Sequence, residues 1–391
     1  MSKMTPEIRF KGFEEEWKPC TINDVLTIGN GRDYKHLDSG DIPVFGSGGL
    51  MTTVNDFLYD GESVFIGRKG TIDKPSYYNG KFWTVDTLFY THSFKNVLPL
   101  YVYSIFQRID WQNYNAATGV PSLSKSTIQS IPIVISESTK EQSEIGSYFK
   151  RIDDILSSIE REITRLEKMK LASLQKMFPR PGETVPEIRF KGFNEPWKIE
   201  KLGKLAKKTT EKNNQLIYTE IFTCSAEYGI VNQRDYFDHN IAKADKINGY
   251  QIVEPNIFVY NPRVSTIAPY GPIIRNKTER TGVISPLYTL FKFTETISYE
   301  YLDWYFKTSH WHEFMKLNGD NGARHDRFSI GTELFFDMPI VLPSLTEQQK
   351  VAEYFENLET ILTAKRQKLE KLRNIKKACL EKMFVNNTTE Q

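Results

Sequence analysis

The sequence predicts an α+β fold made of two mixed α/β domains and a pair of long antiparallel coiled-coil helices, arranged as a pseudo-two-fold internal repeat. Three observations lead to this prediction. The chain of 391 residues contains the same segments twice. Each half begins with a stretch rich in aromatic and β-branched residues and in turn-forming Gly, Asn and Pro, which is typical of packed strands. Each half ends with a heptad pattern of apolar residues, which is typical of a helix that pairs with another helix.

The repeat is the clearest of these signals. PEIRFKGFEEEWK at 6–18 returns as PEIRFKGFNEPWK at 186–198, and the copies differ at only two positions. We call these the opening segments. Two further pairs of similar segments are PIVISESTKEQSEIGSYF at 132–149 with PIVLPSLTEQQKVAEYF at 339–355, and LEKMKLASLQKMF at 166–178 with LRNIKKACLEKMF at 372–384. Self-similarity on this scale indicates two similar structural halves in tandem.

The first part of each half is predicted to be a mixed α/β domain. WTVDTLFYTH at 83–92 and LYTLFKFTE at 287–295 have the composition of strands. YVYSIFQRIDWQNY at 101–114 and YLDWYFKTSHWHEFMK at 301–316 are predicted as equivalent helices. The order of the strands in the sheets does not follow from these patterns.

A long helix is predicted at the end of each half. Thr139 and Thr346 are predicted as its N-caps, and Gln142 and Gln349 follow three residues later, as in a capping box. Apolar residues then repeat in two stripes on each helix. They are Ile145, Ile152, Ile159 and Leu166 beside Phe149, Leu156, Ile163 and Met169, and Val351, Leu358 and Leu372 beside Phe355, Leu362, Leu369 and Ile375. Lys365 interrupts the second pattern.

Antiparallel pairing of the two helices would bury both sets of stripes. It would also bring Met1 and Gln391 near each other, and core packing against the domains is the alternative interpretation of the stripes. The predicted boundaries are a first domain at 1–138 with its opening segment 6–18, a first spacer helix at 139–178, a linker at 179–185, a second domain at 186–345 with its opening segment 186–198, a second spacer helix at 346–384 and a tail at 385–391.

Composition limits the classes of protein that remain. The net charge is only +2, so a nucleic-acid partner would require the basic groups to be concentrated on one face. Cys20, Cys224 and Cys379 are far apart and form no CxxC pair, which favours a reducing compartment without disulfides or a zinc ribbon. The N-terminal residues lack the apolar stretch of a secretion signal, and apolar runs such as IPIVI at 131–135 are too short to span a membrane. We therefore expect a cytoplasmic protein.

Motifs for catalysis are not found in the sequence. It contains no P-loop, no GxSxG and no HExxH pattern. His310 and His312 would project from different sides of the predicted helix, so we interpret them as core or surface residues rather than metal ligands. SPLY at 285–288 and NPRV at 261–264 only approach the motif of DNA amino-methyltransferases, and FGSGGL at 45–50 is interpreted as turn glycines. We expect no catalytic residue and no metal site.

The layout resembles one known family. The order is a variable domain, a shared helix, a second variable domain and a second shared helix. The opening segment PEIRFKGF, the segment that begins PIV before each helix, and IGRKGTIDKPSYYNGKFWTVDTLFY at 66–90 resemble the specificity subunit of bacterial Type I restriction–modification systems. This resemblance covers essentially the whole chain.

The resemblance implies a function. Each domain would be a target-recognition domain that reads one half of a bipartite site in double-stranded DNA, and the helix pair would set the gap between the halves. A helix of roughly 38 residues would be about 57 Å long, against about 34 Å for one turn of DNA. Two methyltransferase subunits using S-adenosylmethionine would dock on the chain and methylate adenine. Motor–nuclease subunits using ATP and Mg²⁺ would complete the enzyme, while this chain would hold no cofactor.

Polar residues in the turns of each domain are the candidate DNA contacts. They are Arg68, Lys69, Thr71, Ser122, Ser124 and Lys125 in the first domain, and Arg263, Ser265, Thr266, Arg324, His325 and Arg327 in the second. Arginine can donate two hydrogen bonds to guanine, whereas Ser, Thr and Lys more often contact phosphate. For each residue the alternative is an ordinary solvated side chain or a salt bridge.

Two other functions remain open at this point. One is a self-contained DNA adenine methyltransferase with degenerate motifs, which would bind S-adenosylmethionine by itself. The other is a coiled-coil adaptor with two ligand-binding domains, which would not bind DNA in a salt-dependent manner.

Overall fold

The computed structural model describes residues 4–236, 247–321 and 326–385. The chain divides into two compact units, which we call unit 1 (Met1–Glu162 with Lys365–Gln391) and unit 2 (Ile163–Ala364). Each unit therefore contains one α/β domain and a piece of both long helices.

The elements of unit 1 form one continuous α/β domain. They are β1 (Lys18–Thr21), α1 (Ile22–Val25), β2 (Thr27–Asn30), β3 (Ile42–Gly46), β4 (Gly49–Val54), β5 (Tyr59–Gly67), β6 (Ser76–Thr84), β7 (Leu88–His92), α2 (Pro99–Phe106), a 3₁₀ turn (Trp111–Tyr114), α3 (Lys125–Ser130) and β8 (Pro132–Ile135). The first long helix, α4 (Thr139–Lys176), begins in unit 1 and ends in unit 2.

Unit 2 contains a second α/β domain. Its elements are β9 (Lys198–Lys201), α5 (Leu202–Leu205), β10 (Ala206–Thr209), β11 (Phe222–Ser225), β12 (Gly229–Asn232), α6 (Gln233–Tyr236), β13 (Gln251–Val253), β14 (Phe258–Tyr260), β15 (Ile273–Arg275), β16 (Gly282–Ile284), β17 (Thr289–Phe293), α7 (Tyr299–Tyr305), α8 (His312–Asn318), β18 (Asp320–Asn321), β19 (Phe328–Ser329), α9 (Thr332–Phe336) and β20 (Pro339–Leu342). The second long helix, α10 (Leu345–Lys382), begins in unit 2 and ends in unit 1.

The two domains share a four-stranded core. The main sheet of unit 1 has the order β2-β7-β5-β6-β3-β4, and that of unit 2 has the order β10-β17-β14-β15. In both sheets the first strand in chain order, β2 or β10, pairs antiparallel with the last, β7 or β17, which also pairs antiparallel with β5 or β14. A separate two-stranded ribbon, β1 with β8 or β9 with β20, joins the opening segment to the strand before the long helix. The internal repeat thus extends to the topology, and the two domains differ in the strands added to this core.

Aromatic side chains fill equivalent core positions in both units. Trp17, Tyr101, Trp111 and Phe149 lie in the core of unit 1 with Phe384, and Trp197, Tyr301, Trp311 and Phe355 lie in the core of unit 2 with Phe178. The indole N–H groups of Trp111 and Trp311 even donate to equivalent carbonyls, those of Phe106 (2.9 Å) and Phe306 (3.2 Å).

These indole bonds explain where the predicted helices at 101–114 and 301–316 are wrong. The helix after β7 ends at Phe106 and a 3₁₀ turn begins at Trp111, while α7 ends at Tyr305 and α8 begins at His312. Each carbonyl at the break is satisfied by a side chain rather than by the next helical turn. The predicted strand at 83–92 is also two strands, because the amide of Leu88 donates to the carbonyl of Val85 (3.0 Å) and makes a turn.

The predicted capping boxes are wrong as well. The long helices begin at Thr139 and Leu345, so the preceding residues, Ser138 and Ser344, occupy the cap positions, and their hydroxyls accept from amides three residues later (3.4 Å in both). The segment 132–149 is one residue longer than its copy 339–355, and the extra residue lies before the helix. Thr139 therefore corresponds to Leu345 rather than to Thr346.

The glutamine in the first turn has a different role from capping. The side chain of Gln142 accepts from the amide of Leu98 (2.8 Å) and donates to the carbonyl of Asn96 (2.9 Å). Gln348 makes the equivalent bond with the amide of Ser298 (2.9 Å), whereas Gln349 is exposed. These glutamines tie each long helix to the loop that begins α2 or α7.

The helices pack antiparallel in each unit, as the heptads predicted. In unit 1, Asp153 pairs with Lys376, Glu160 with Arg373, and Glu162 with Lys365, so the residue numbers run in opposite directions. In unit 2, Lys170 pairs with Glu359 (2.5 Å) and the hydroxyl of Ser173 bonds that of Tyr354 (2.9 Å). The predicted stripe residues that are buried are Ile145, Phe149, Ile152, Leu156, Ile159, Ile163, Val351, Phe355, Leu358 and Leu362. Met169 and Ile375 are exposed. The predicted fold class is confirmed.

The opening segments fasten the two helices at their ends. The guanidinium of Arg9 donates to both oxygens of Glu141 (2.6 and 3.0 Å), which is fully buried, and the indole of Trp17 donates to the same carboxylate (3.1 Å). The hydrogen bond to Glu141 also raises the pKa of Arg9. The neighbouring amide of Ile8 donates to the carbonyl of Lys382 at the end of α10 (2.9 Å).

Unit 2 repeats this arrangement. Arg189 donates to both oxygens of Glu347 (2.7 and 2.8 Å), and the amide of Ile188 donates to the carbonyl of Lys176 at the end of α4 (2.9 Å). Each opening segment therefore contacts the start of one long helix and the end of the other. The first and last residues, Met1 and Gln391, lie outside the described residues. Among those described, no helix combines the length and apolar character that a membrane crossing requires.

Replacing Glu141 with Ala would leave the guanidinium of Arg9 and the indole of Trp17 without their acceptor. We expect the free energy of unfolding of unit 1 to fall by about 3–5 kcal/mol, the usual effect of breaking a buried ion pair. Urea denaturation followed by tryptophan fluorescence measures the change. Glu137→Ala is the control, because Glu137 pairs with Lys18 at an exposed site (2.6 Å) where the loss should stay below about 1 kcal/mol. Equal losses for the two variants would contradict this account.

Candidate nucleic-acid interface

In unit 1 the structure brings the two groups of predicted DNA contacts together. Strand β5 ends at Gly67, where a Cβ would stand 1.9 Å from the carbonyl oxygen of Thr71, so only glycine allows the chain to turn this tightly. The carbonyl of Arg68 then accepts from the amide of Leu123 (2.8 Å), and Lys69 forms an antiparallel bridge with Ser122. We call this short pairing, Arg68–Gly70 with 121–123, the unit 1 ladder. It joins the predicted contacts Arg68, Lys69 and Thr71 to Ser122, Ser124 and Lys125.

The cationic groups of this ladder face solvent. Arg68 and Lys69 are exposed, while their amides donate to the carbonyl of Thr87 (2.9 and 3.3 Å). The guanidinium of Arg68 donates to the carbonyl of Asp86 (3.3 Å) and lies 5.9 Å from the ring centre of Phe89. The backbone is thus held on the sheet while the charges remain accessible.

Ser124 and Lys125 lie where α3 begins. The hydroxyl of Ser124 accepts from the amide of Thr127 (3.0 Å) and caps this helix. Burial and, to a smaller extent, the charge of Lys125 lower the pKa of the nearby His92. Ser124 therefore has a structural partner in the protein itself, and its contact with phosphate stays a prediction.

Unit 2 contains an equivalent ladder. The amide of Val264 donates to the carbonyl of Asp326 (3.1 Å), the amide of Phe328 donates to that of Pro262 (2.8 Å), and Arg263 forms an antiparallel bridge with Arg327. We call this pairing, 262–264 with 326–328, the unit 2 ladder. It follows β14 as the unit 1 ladder follows β5, and it precedes α9 as the other precedes α3. Arg263 and Arg327 thus occupy the places of Lys69 and Ser122.

The two arginines give the unit 2 ladder an unusual charge. Both are exposed, and within the described parts of the chain neither guanidinium has an ion pair. Like charges directly opposite each other destabilise an antiparallel pair. An anion between them would remove this repulsion, and phosphate accepts charge-assisted hydrogen bonds from arginine particularly well. Arg324 and His325, also predicted as DNA contacts, lie outside the described residues.

A short turn extends the ladder towards solvent. The amides and carbonyls of Ser265 and Ala268 bond each other (3.0 and 3.1 Å), which leaves Thr266 exposed between them. Arg263, Ser265 and Thr266 line a cavity of about 500 Å³. Tyr288 lines its wall, and burial raises the pKa of this phenol, so it stays neutral at neutral pH.

The weak catalytic motifs fall in ordinary turns. FGSGGL forms the turn between β3 and β4, SPLY forms the turn before β17, and NPRV begins the unit 2 ladder. Burial lowers the pKa of both His310 and His312. In residues 4–236, 247–321 and 326–385, no group of three or more His, Cys, Asp or Glu side chains is placed to hold a metal ion.

Known proteins share this architecture. Residues 14–168 match the family model described as the Type I restriction modification DNA specificity domain. The predicted resemblance to Type I specificity subunits is confirmed. The matched specificity domain runs from just before β1 into α4, and it includes the whole unit 1 ladder.

Individual relatives are similar over different shares of the chain. A putative type I restriction enzyme specificity subunit of Haemophilus influenzae is 26% identical over 133 residues, which cover 32% of this chain and 34% of that protein. The crystal structure of the S subunit of a Type I restriction–modification system from M. genitalium has a TM-score of 0.63 at 14% identity, covering 98% of this chain and 100% of that one. The crystal structure of the HsdS subunit from Thermoanaerobacter tengcongensis has a TM-score of 0.44 at 13% identity, covering 94% of this chain and 96% of that one. The first of these structures shares the fold of both halves.

Ser124→Ala would remove the acceptor that caps α3. We expect the free energy of unfolding to fall by about 0.5–2 kcal/mol, the usual effect of losing an N-cap. Ser124→Asn keeps a side-chain oxygen at this position and should retain most of the stability. Thermal unfolding of both variants without DNA measures the effect, and equal losses in the two would contradict a capping role.

Proposed function

We propose that the chain is a sequence reader that performs no chemistry: it directs a Type I restriction–modification enzyme to a bipartite site in double-stranded DNA. The main support is the pair of ladders. Each α/β domain presents exposed cations on a short strand pairing that follows the same core strand and precedes the same helix. One duplicated chain thus carries two equivalent surfaces with exposed positive charge, as expected of a protein that binds two half-sites of one DNA molecule.

The ladders suggest which residues contact bases and which contact phosphate. Arg263 and Arg327 in one domain and Arg68 in the other have the reach and geometry to donate two hydrogen bonds to guanine in the major groove. The hydroxyl and ammonium groups suit phosphate, because contacts to phosphate orient the protein without reading sequence. They are Lys69, Thr71, Ser122, Ser124, Lys125, Ser265 and Thr266. Arg324 and His325 belong to the same proposal on sequence grounds alone.

The long helices would set the number of unread base pairs and dock the partners. Each has 38 residues and is therefore about 57 Å long, which exceeds one DNA turn of about 34 Å. Two methyltransferase subunits would supply S-adenosylmethionine and transfer the methyl group to adenine. Motor–nuclease subunits would supply the chemistry that needs ATP and Mg²⁺.

Methylation assays test this function. We expect the purified chain to transfer no methyl group to duplex DNA, and a complex with its methyltransferase subunit to methylate a bipartite motif. Replacing 199–341 with the equivalent domain of a relative should change one half of the motif, because each domain reads separately. Transfer by the chain alone would favour a self-contained methyltransferase. Absence of DNA binding, or DNA binding that does not depend on salt, would favour an adaptor. In the domain exchange, a change in both halves of the motif would contradict two separate readers.

Lengthening both helices should widen the gap in the motif. Arg161 and Gln367 are exposed on the helices of unit 1, so four residues can be inserted after each. The insertion adds a rise of about 6 Å, close to two base pairs of about 3.4 Å each, and the helices absorb the altered heptad by local unwinding. The methylated motif should keep both halves and gain one or two unread base pairs.

The control for this experiment changes the same positions without changing length. Arg161→Ala with Gln367→Ala should keep the original gap. If the lengthened protein binds its methyltransferase subunit and still methylates the original spacing, the helices do not set the gap.

A further inference from the structure

We infer that the tips of two β-hairpins, β3–β4 in unit 1 and β11–β12 in unit 2, contact the bases of the DNA half-sites with apolar side chains. This inference rests on the proposed function and adds residues that the sequence patterns do not indicate. The tips expose Leu50 (65%), Met51 (55%) and Tyr228 (61%) to solvent. Each hairpin lies beside the ladder of its own unit.

The tip in unit 1 is a tight turn. Gly46 pairs with Gly49, so only Ser47 and Gly48 form the turn, and Gly49 has a φ of 111° that favours glycine. A Cβ on Gly48 or Gly49 would meet nothing within 4 Å. The end of the hairpin is therefore narrow and is not covered by neighbouring residues, which an element that enters a DNA groove requires.

The hairpin is held beside the unit 1 ladder. The carbonyl of Phe45 accepts from the amide of Val85 (2.9 Å). The carbonyls of the same turn accept from the amides of Arg68 and Lys69 and from the guanidinium of Arg68. A Cβ on Gly70 would stand 3.3 Å from the hydroxyl oxygen of Ser47. The tip and the cations of the ladder thus belong to one surface.

A β-bulge directs the apolar side chains at this tip. Leu50 lies opposite Phe45 and Thr52 opposite Val44, so Met51 is the extra residue on β4. Bulges commonly re-aim a side chain near a functional site. The strand is also the edge of its sheet, where exposed apolar residues favour aggregation unless they have a partner.

Unit 2 has a hairpin with a different tip. Ser225 pairs with Gly229, and the amides of Glu227 and Tyr228 donate to the hydroxyl of Ser225 (3.3 Å each). The buried side chain of Asn261, next to the unit 2 ladder, donates to the carbonyl of Cys224 (2.8 Å). The turn residues Ala226 and Glu227 line the same cavity as Arg263.

Duplex DNA fits these surfaces because two chemistries lie side by side. The ladder cations suit guanine edges, through arginine, and phosphate oxygens, through lysine, while apolar side chains suit the thymine methyl group and exposed base faces. Leu50 and Met51 differ from Tyr228 in shape. The two tips would accordingly favour different bases.

The experiment compares the methylated motifs of complexes formed with the methyltransferase subunit. One variant carries Leu50→Ser and Met51→Ser together, and another carries Tyr228→Ser. Phe57→Ser and Ile217→Ser are the matched controls, because these residues are similarly exposed (41% and 65%). Phe57 follows the end of β4 that is away from the turn, and Ile217 precedes β11. We expect each tip variant to lose roughly tenfold discrimination at one or two base pairs of one half-site, the double variant in one half and Tyr228→Ser in the other. The controls should keep the original motif.

The outcomes separate this inference from the function on which it rests. If the unaltered complex methylates its motif and the tip variants keep full discrimination, the tips do not read bases and the inference is wrong. A uniform loss at all sequences would also overturn it, because it would indicate general affinity rather than reading. If the unaltered complex methylates no DNA, the proposed function itself fails, and the inference fails with it.

Discussion

A buried carboxylate in the first turn of each long helix is the contact on which the architecture depends. Glu141 and Glu347 are shielded from water and each accepts two hydrogen bonds from an arginine of an opening segment. The same segment bonds the end of the other long helix through a backbone amide. An uncompensated charge at this depth would destabilise the fold strongly. The ion pair and the backbone bond together hold the start of one helix beside the end of the other, a choice that apolar stripes alone leave open.

This constraint separates what must be kept in the two halves from what can change. The ribbon, the four-stranded core, the indole bonds and the ion pair recur in both units. The ladders share their backbone pairing but differ in their side chains, since Lys69 lies opposite Ser122 in one and Arg263 lies opposite Arg327 in the other. The hairpins recur in chain order but differ in turn length, in the residues they expose and in the sheet to which they belong. Variation thus increases from the helices towards the loops, as expected where a rigid scaffold positions a binding surface.

The sequence predicts the scaffold well because its signals are local or repeated. The heptads that contain Ile145 and Val351 are visible as a period, and the opening segments are visible as copies. Prediction was wrong where a tertiary contact overrides a local pattern. The helix at 101–114 breaks because the indole of Trp111 takes a carbonyl, and Gln142 bonds a loop rather than a cap. The pairing of Arg68–Gly70 with 121–123 joins distant turns that carry no sequence signal for each other. From the sequence alone, Leu50 and Met51 look like ordinary strand residues, and only the structure shows that they are exposed.

The division into units has a consequence for how the protein is made. Unit 2 comes from one continuous stretch, whereas unit 1 also needs the end of α10. The ring centre of Phe384 lies 5.7 Å from those of both Trp17 and Tyr101, so the core of the first domain includes a side chain that is synthesised after the whole of unit 2. Domains usually fold in the order of their synthesis. Here the domain that is synthesised first is completed after the second. Until then its aromatic core lacks Phe384, and the apolar surface left open favours aggregation of the growing chain.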